Sequence, residues 1–170
     1  MIPRTKRRLR LTRPKTARAV ARRAGTLEEF GYNLRDWLHE LRRLSTRQQL
    51  HDAVWVKPER LADRFEGGAI ADAYLAAQVH ALCNRAGIRA PRWVRDPCYV
   101  LEDPWFAVEG KLLRPYLLLD TPEEFRRRNL FTVPELTFQV RRGRPAVSDA
   151  QKREKARDRS ALAMASRKNG

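Results

Sequence analysis

Apolar residues recur at three- and four-residue intervals between residues 27 and 44, which is the pattern of an amphipathic helix. Thr26 and Glu29 have the spacing of a capping box, in which a threonine hydroxyl accepts the backbone amide three residues on and the glutamate reaches back. A helix is therefore predicted to begin after Thr26. Its apolar stripe consists of Leu27, Phe30, Leu34, Trp37, Leu41 and Leu44.

Two further segments, each followed by a glycine that can end a helix, are predicted to be helical. Residues 15–24 have small apolar side chains on one face and end at Gly25, a residue suited to a left-handed helix end. Residues 69–86 are apolar over more than half of a helix circumference and are closed by Gly87. The second of these segments is predicted to form the central helix of the protein.

Two shorter helices are predicted between these elements. Ser45 followed by Gln48 has the spacing of a second cap, so a helix is predicted to run from there to about Val54. Pro58 suits the first turn of a helix, which predicts a short helix over residues 58–64.

The pattern changes after residue 87, where prolines interrupt any long element. Residues 112–119 are predicted to form a strand or a buried helix, because periodicity cannot decide for so short an apolar run. Thr121, followed by Pro122 and two glutamates, predicts a third cap and a helix behind it. Aromatic side chains are expected to pin this part of the chain onto the helices: Trp93, Tyr99, Trp105 and Phe106.

These signals, without sustained alternation or an Asn-Gly hairpin signal, predict an all-α protein with a compact helical body. The chain has 170 residues and a formal net charge of +16. Residues 1–25 hold ten basic and no acidic residues, and residues 141–170 hold ten basic and three acidic ones. Residues 26–140 are nearly neutral, with sixteen basic and seventeen acidic residues. We therefore predict a helical body over 26–140 between two basic, partly disordered arms.

The composition excludes several classes of protein. No apolar run approaches the roughly 20 residues needed to span a bilayer, so no membrane contact is expected. The basic N-terminus is not followed by an apolar segment of the kind found in a secretory signal. Cys83 and Cys98 make no disulfide framework, which predicts reduced thiols and a cytoplasmic protein.

The sequence contains no recognisable catalytic or metal-ligating pattern. His80 and Cys83 are three residues apart and share a helix face, but two ligands do not make a metal site. Neither a glycine elbow around a serine nor a phosphate-binding glycine loop is present. We therefore predict a protein that is not an enzyme and that uses no metal and no cofactor.

The two arms predict binding to DNA or RNA, since clustered cations bind phosphates by releasing counterions. Contact with an acidic protein, or solubility alone, is the alternative for the same charge. Residues 141–145 resemble the core of an AT-hook, whose Arg-Gly-Arg-Pro segment lies in the narrow minor groove of A·T-rich DNA. The candidate nucleic-acid-binding residues are Arg4, Lys6, Arg7, Arg8, Arg10, Arg13, Arg18, Arg22, Arg23, Arg141, Arg142, Gly143 and Arg144.

A helix-turn-helix is the rival way to bind DNA. The apolar spacing from Val20 to Leu34 matches part of that motif. The candidate recognition helix begins with Glu28 and Glu29, however, and phosphates would repel both carboxylates. The sequence therefore favours the arms over this motif.

Residues 120–131, with the sequence DTPEEFRRRNLF, carry a resemblance to a known domain, which extends over about residues 27–137. Weaker support comes from Leu34-x-x-Trp37-Leu38, from ADAYLAA at 71–77 and from the turns at 93–97 and 103–106. The segment resembles a domain of proteins classed as bacterial antitoxins, which usually follows a helix-turn-helix segment. Genes for that domain commonly lie beside those of abortive-infection-type nucleotidyltransferase toxins.

The resemblance implies an antitoxin-like, non-catalytic protein whose helical body docks a nucleotidyltransferase-like toxin and whose arms bind nucleic acid. The alternative, from a different class, is a small architectural DNA- or RNA-binding protein of a nucleoprotein complex. The candidate residues for partner contact are Trp105, Phe106, Arg126, Arg127, Arg128 and Asn129.

Overall fold

The computed structural model describes residues 12–108 and 110–136, and these residues are mostly helical, which confirms the predicted all-α class. Two short strands, β1 (Trp105–Phe106) and β2 (Leu130–Phe131), pair in parallel. Residues 1–11 and 137–170, with the predicted disorder of the arms, lie outside the described residues. The helices are α1 (Ala17–Arg23), α2 (Leu27–Leu41), α3 (Arg47–Val54), α4 (Gly68–Ala86), α5 (Arg114–Asp120) and α6 (Glu123–Arg126), and 3₁₀ turns cover Arg92–Arg95, Pro97–Tyr99 and Lys111–Leu113.

Helix α4 is the central helix, as predicted. Thirteen of its nineteen residues are buried, and six of these are alanines that let neighbouring elements approach closely. Helices α1, α2, α3 and α6 all pack against it. It ends at Gly87, as predicted, and Gly87 takes the left-handed conformation with a φ of 64°. The left-handed end predicted at Gly25 does not form, since Ala24 ends α1 with a φ of −85° and Gly25 has no positive φ.

Helix α1 belongs to the core of the body, although the predicted boundary placed residues 1–25 in an arm. Ala17, Val20 and Ala21 are fully buried, and α1 packs along α2. The Thr16 hydroxyl caps the helix by accepting the amide of Ala19. The folded body therefore begins before residue 26, because the small apolar face of residues 17–24 is covered.

The Thr26 half of the cap of α2 forms as predicted, whereas the Glu29 side chain accepts the amide of Gly25 instead of that of Thr26. The Thr26 hydroxyl accepts the amide of Glu29 at 3.1 Å. The cap of α3 lies one residue later than expected. In α3 the capping box is formed by Thr46 and Gln49. Ser45 instead donates its amide to the Gln49 side chain at 3.0 Å. Both residue pairs have capping-box spacing, and only the backbone conformation selects between them.

Residues 58–64 do not form the predicted helix. The Asp72 carboxylate, only 2% exposed, accepts the amides of Leu61 and Ala62 and the Nε–H of Arg60, all at 3.0 Å. Asp72 belongs to α4, and its hydrogen bonds satisfy the backbone amides of residues 61 and 62. These amides therefore need no helix within residues 58–64 to satisfy them. At Gly68, an added Cβ would lie 1.9 Å from the Leu61 carbonyl oxygen, so the segment sits directly on the α4 backbone.

Two predictions in the C-terminal part of the body also need correction. Residues 112–119 form neither a strand nor a buried helix, since only Leu117 among them is buried. Thr121 does not cap α6, which begins after Pro122 without a side-chain cap. The Thr121 hydroxyl is used in a long-range contact, described below.

The aromatic side chains after residue 87 pack onto the helices as expected. Trp93 is buried and donates its indole N–H to the Val54 carbonyl at 3.1 Å. Its ring meets that of Tyr99 edge to face, with centroids 5.7 Å apart. Trp105 is half-buried against the same core. Within the described part of the chain, no helix is long and apolar enough to cross a bilayer.

We expect Asp72→Asn to lower the free energy of unfolding by about 3 kcal/mol. The amide is nearly isosteric, but its NH₂ group would face backbone N–H donors or the Arg60 side chain inside a buried site. Chemical denaturation followed by circular dichroism measures this change.

Asp63→Asn provides the matched control, because Asp63 is an exposed residue of the same segment. We expect it to change the free energy of unfolding by less than about 0.5 kcal/mol. Equal effects of the two substitutions would contradict the role assigned to Asp72.

Candidate functional site

Residues 120–131 fold back on themselves and onto α4. The Thr121 hydroxyl donates to the Thr132 carbonyl at 3.0 Å and accepts the Thr132 amide at 2.9 Å. Phe125 is fully buried, and its ring meets that of Tyr74 edge to face at 5.2 Å. The segment is thus closed at its two ends and anchored in the core by its middle.

Arg128 is a buried cation, with only 5% of its surface exposed. Its guanidinium donates to the backbone carbonyls of Glu124 and Val94. Within the described residues, no carboxylate lies within ion-pairing distance of it. Burial lowers the pKa of Arg128 to about 10, which leaves the group charged at neutral pH. Carbonyl oxygens therefore supply its direct contacts, and the Glu124 carboxylate favours its charge from a longer distance.

Asn129 fixes the neighbouring loop. It has a φ of 56°, in the left-handed region that asparagine tolerates better than most residues. Its side-chain amide donates to the Leu101 carbonyl at 2.7 Å, and its own carbonyl accepts the Trp105 amide at 2.8 Å. Arg128 and Asn129, both predicted to contact a partner, thus hold residues 94–105 to the body.

The other two arginines of the segment face solvent. Arg126 is exposed and has no ion pair within the described residues. Arg127 is exposed and pairs with Glu123 one helical turn earlier. The three consecutive arginines, which the sequence places in one candidate site, therefore have different surroundings.

The two aromatic candidates for partner contact also have internal neighbours. Trp105 and Phe106 form β1, and the Phe106 ring stacks on Phe131 with centroids 4.7 Å apart. The Arg114 guanidinium lies 4.8 Å from the centroid of the Phe106 ring. Both residues remain half-exposed, so the structure leaves part of each ring accessible.

Only four of the predicted nucleic-acid-binding residues lie within the described chain. Arg13 lies near Asp36 and Glu40, and Arg18 lies near Glu59, at 3.5 to 3.9 Å. Arg23 donates to the Thr12 backbone and hydroxyl, and Arg22 is exposed without an ion pair in this part of the chain. The candidates outside the described residues are Arg4, Lys6, Arg7, Arg8, Arg10, Arg141, Arg142, Gly143 and Arg144.

Helix α5 and the 3₁₀ turn before it expose large apolar side chains that the sequence predicted to be buried. Leu112, Tyr116 and Leu119 are 89%, 64% and 79% exposed. They are four and three residues apart, so they lie on one face. Together with Leu113, which is 48% exposed, we call them the α5 surface. Exposed apolar patches of this kind mark interaction sites.

An open pocket of about 420 Å³ lies between α4, the turns at 92–100 and the residues after α6. His80 contributes to its wall from α4. Its ring makes no hydrogen bond within the described residues, and its Nδ1 is buried without a partner. The lining residues, which define the His80 pocket, are His80, Val94, Arg95, Asp96, Val100, Arg127 and Arg128.

Both cysteines are free thiols in different surroundings. Cys83 is buried, which raises its pKa to about 12, and Cys98 is exposed. Among the described residues, no group of three or more His, Cys, Asp and Glu side chains is placed to hold a metal ion. In that part of the chain, His80 and Cys83 thus have no third side chain beside them that could complete a metal site.

We expect His80 to make the protein less stable as the pH falls below about 6.5, its ordinary pKa. Burial and then the charge of Arg128 lower the pKa of His80 in the folded state, while Glu124 opposes them. Arg95 and Arg127 also lower it. The unfolded chain therefore takes up the proton first, so the free energy of unfolding should fall as the pH is lowered from about 7.5 to about 5.5.

Chemical denaturation at several pH values measures this dependence. His80→Gln should remove this contribution, whereas His39→Gln, at an exposed position of α2, should leave it unchanged. The same pH dependence in wild type and His80→Gln would contradict the assignment.

The candidate functional features of the described chain are the α5 surface, the His80 pocket and the exposed arginines of α1. Each is defined by exposure, distance and charge in the structure itself. Comparison with protein-family models, with curated proteins and with solved structures finds no match to this chain.

Proposed function

We propose that this chain is an antitoxin-like, non-catalytic binding protein of a toxin–antitoxin or defence module. Its helical body docks a nucleotidyltransferase-like toxin, and its basic arms bind nucleic acid. The observation that carries the proposal is the α5 surface, a set of large apolar side chains held in solvent by an ordered helix.

The energetics of the α5 surface favour a protein partner. Burying one large apolar side chain is worth about 1.5–3 kcal/mol, so covering Leu112, Tyr116 and Leu119 would drive association. Tyrosine is common at the energetic centre of protein interfaces. The exposed polar residues Lys111 and Asp120 border the surface, as a polar rim borders an apolar interface core.

The division of charge supports two kinds of partner. Residues 26–140 are nearly neutral, and the excess of cations that nucleic-acid phosphates attract lies in residues 1–25 and 141–170, including the exposed arginines of α1. The AT-hook-like segment at 141–145 suits A·T-rich DNA. A body that binds protein and arms that bind nucleic acid together match the antitoxin class better than a single binding face would.

We expect the double substitution Leu112→Ser/Leu119→Ser to weaken binding of the nucleotidyltransferase-like product of the adjacent gene at least about tenfold. Both side chains are exposed in the free protein, so the fold should tolerate the change. Isothermal titration calorimetry measures the affinity, and inhibition of the toxin activity gives an independent readout.

Val56→Ser is the control, because Val56 is 48% exposed after α3, outside the α5 surface. It should bind as the wild type does. Absence of any complex with the wild-type chain would reject the antitoxin function. A complex unaffected by the double substitution would reject only the α5 surface as its docking site.

The charged arms favour a second candidate function, an architectural DNA- or RNA-binding protein. Such a protein should lose its activity when the arms lose their charge, whereas an antitoxin body should still bind its enzyme. Because α1 is part of the core, a test of the N-terminal arm has to leave residues 17–24 intact.

Replacing the five basic residues of 1–11 with glutamine should therefore weaken nucleic-acid binding. Each phosphate contact adds about 0.9 to the magnitude of the slope of log affinity against log salt concentration on duplex DNA, so that magnitude should decrease by up to about 4.5. Gel shifts over a salt series, on A·T-rich DNA, G·C-rich DNA and RNA, measure it. An unchanged slope would exclude the N-terminal arm, and equal affinity for all three nucleic acids would exclude minor-groove recognition. The residues to replace are Arg4, Lys6, Arg7, Arg8 and Arg10.

A further inference from the structure

We propose that the His80 pocket binds a phosphoryl group. The pocket lies in the folded body and uses neither the α5 surface nor the arms, so this inference is independent of the proposed toxin partner. It rests on the charge of the pocket walls, on the fixed position of Arg128 and on the unused polar groups of His80.

Cations predominate in the walls of the pocket. Three arginines line it against one carboxylate, that of Asp96. Asp96 accepts a hydrogen bond from the Lys57 ammonium at 2.6 Å, and Lys57 does not line the pocket. The negative charge of Asp96 is therefore neutralised by a residue outside the pocket. Within the described chain, Arg95 has no ion pair. The pocket therefore has an excess of positive charge that its own acidic residue does not neutralise.

Arg128 is a preorganised donor in this pocket. Its guanidinium is held by the carbonyls of Val94 and Glu124, so no conformational entropy has to be lost when a ligand arrives. A guanidinium has five N–H donors, and two carbonyl contacts leave others for a ligand. The same burial that lowers the pKa of Arg128 means that a nearby anion would stabilise its charge.

Arg95 and Arg127 supply mobile donors at the rim. Both are exposed, and the pair between Arg127 and Glu123 is solvent-accessible on both sides, with 67% and 63% of the side chains exposed. Exposed pairs of this kind contribute little to stability, so a ligand oxygen can compete for Arg127 at small cost. His80 adds a ring whose nitrogens make no hydrogen bond within the described residues.

This arrangement suits a phosphoryl group better than a carboxylate. A planar carboxylate is satisfied by one guanidinium fork, whereas a phosphate dianion presents three or more oxygens in different directions. Donors approach the pocket from α4, from the 92–95 turn and from the end of α6, as such an anion requires. The volume of about 420 Å³ lies within the range of about 300–1,000 Å³ that is usual for small-molecule sites. The phosphoryl group can thus carry a substituent such as a nucleoside.

The test uses the full chain titrated with inorganic phosphate and with adenosine monophosphate at constant ionic strength, followed by ³¹P NMR. Arg95→Gln and Arg127→Gln should each weaken binding about tenfold, since each removes a charge-assisted contact. Both positions are exposed, so the variants should fold. Circular dichroism spectra like that of the wild type check this.

Arg126→Gln is the matched control, because it removes the same charge from the adjacent exposed position and does not line the pocket. It should bind both probes as the wild type does. Equal weakening by all three substitutions would show general attraction to a basic chain and would overturn the proposal. Absence of binding to the wild type, or affinities that none of the variants changes, would overturn it as well.

Two sources of the phosphoryl group are distinguished by a further pair of probes. The first probe is a trinucleotide with a 5′-phosphate, and the second is the same trinucleotide with a 5′-hydroxyl, which lacks the phosphoryl group. If the phosphorylated trinucleotide binds more tightly than both its hydroxyl form and adenosine monophosphate, the natural ligand is the end of a nucleic acid. Tighter binding of adenosine monophosphate would indicate a free nucleotide. Both results require the same sensitivity to Arg95→Gln, and its absence would reject the pocket as the site.

Discussion

The loop of residues 94–105 is held by two adjacent residues, Arg128 and Asn129, through both their side chains and their backbone. It contains only short 3₁₀ turns and the first residue of a two-residue strand, so few of its backbone groups pair with one another. Arg128 donates to the Val94 carbonyl near one end, and Asn129 donates to the Leu101 carbonyl and accepts the Trp105 amide near the other. Two residues thus supply contacts that a longer sheet would supply elsewhere. They also require that a guanidinium be buried, with carbonyl oxygens in place of a carboxylate.

That requirement links the fold to the candidate chemistry. A buried cation with no carboxylate at ion-pairing distance is costly for an isolated body, even with Glu124 acting on it from farther away, and the cost falls when an anion approaches. The His80 pocket gives such an anion a route to Arg128, because this arginine both holds the loop and lines the pocket. The α5 surface is a separate case, in which apolar side chains lie in water. Both features are locally unfavourable in the free protein. An anion would stabilise the buried charge of Arg128, and a protein partner would bury the apolar side chains of the α5 surface.

Much of the fold could be predicted because its signals are local. The cap at Thr26, the left-handed end at Gly87 and the apolar circumference of α4 each depend on residues close in the chain. The features that could not be predicted are contacts between distant residues. Asp72 binds the amides of a segment ten residues earlier, and Thr121 bonds across eleven residues to Thr132 instead of capping α6. The leucines of α5 have the same hydropathy whether they face a core or a partner. The hydrophobic pattern of the sequence therefore could not show that they are exposed. The sequence identified the arginines at 126–128 as candidates, and only the fold separated their surroundings.

The segment that carries the resemblance has a structural explanation that needs no partner. Phe125 fills the core beside Tyr74, Thr121 closes the segment on Thr132, and the last two polar positions hold the 94–105 loop. Such a segment specifies how the body folds, so a resemblance in it bears first on the fold. Partner choice must then depend on side chains that the fold leaves free to vary. The α5 surface meets that condition, since apart from Leu117 its helix makes little use of its leucines in the core. Under the proposed function, exchanging the exposed side chains at 112–119 would therefore change partner choice without disturbing the contacts that residues 120–131 make inside the body.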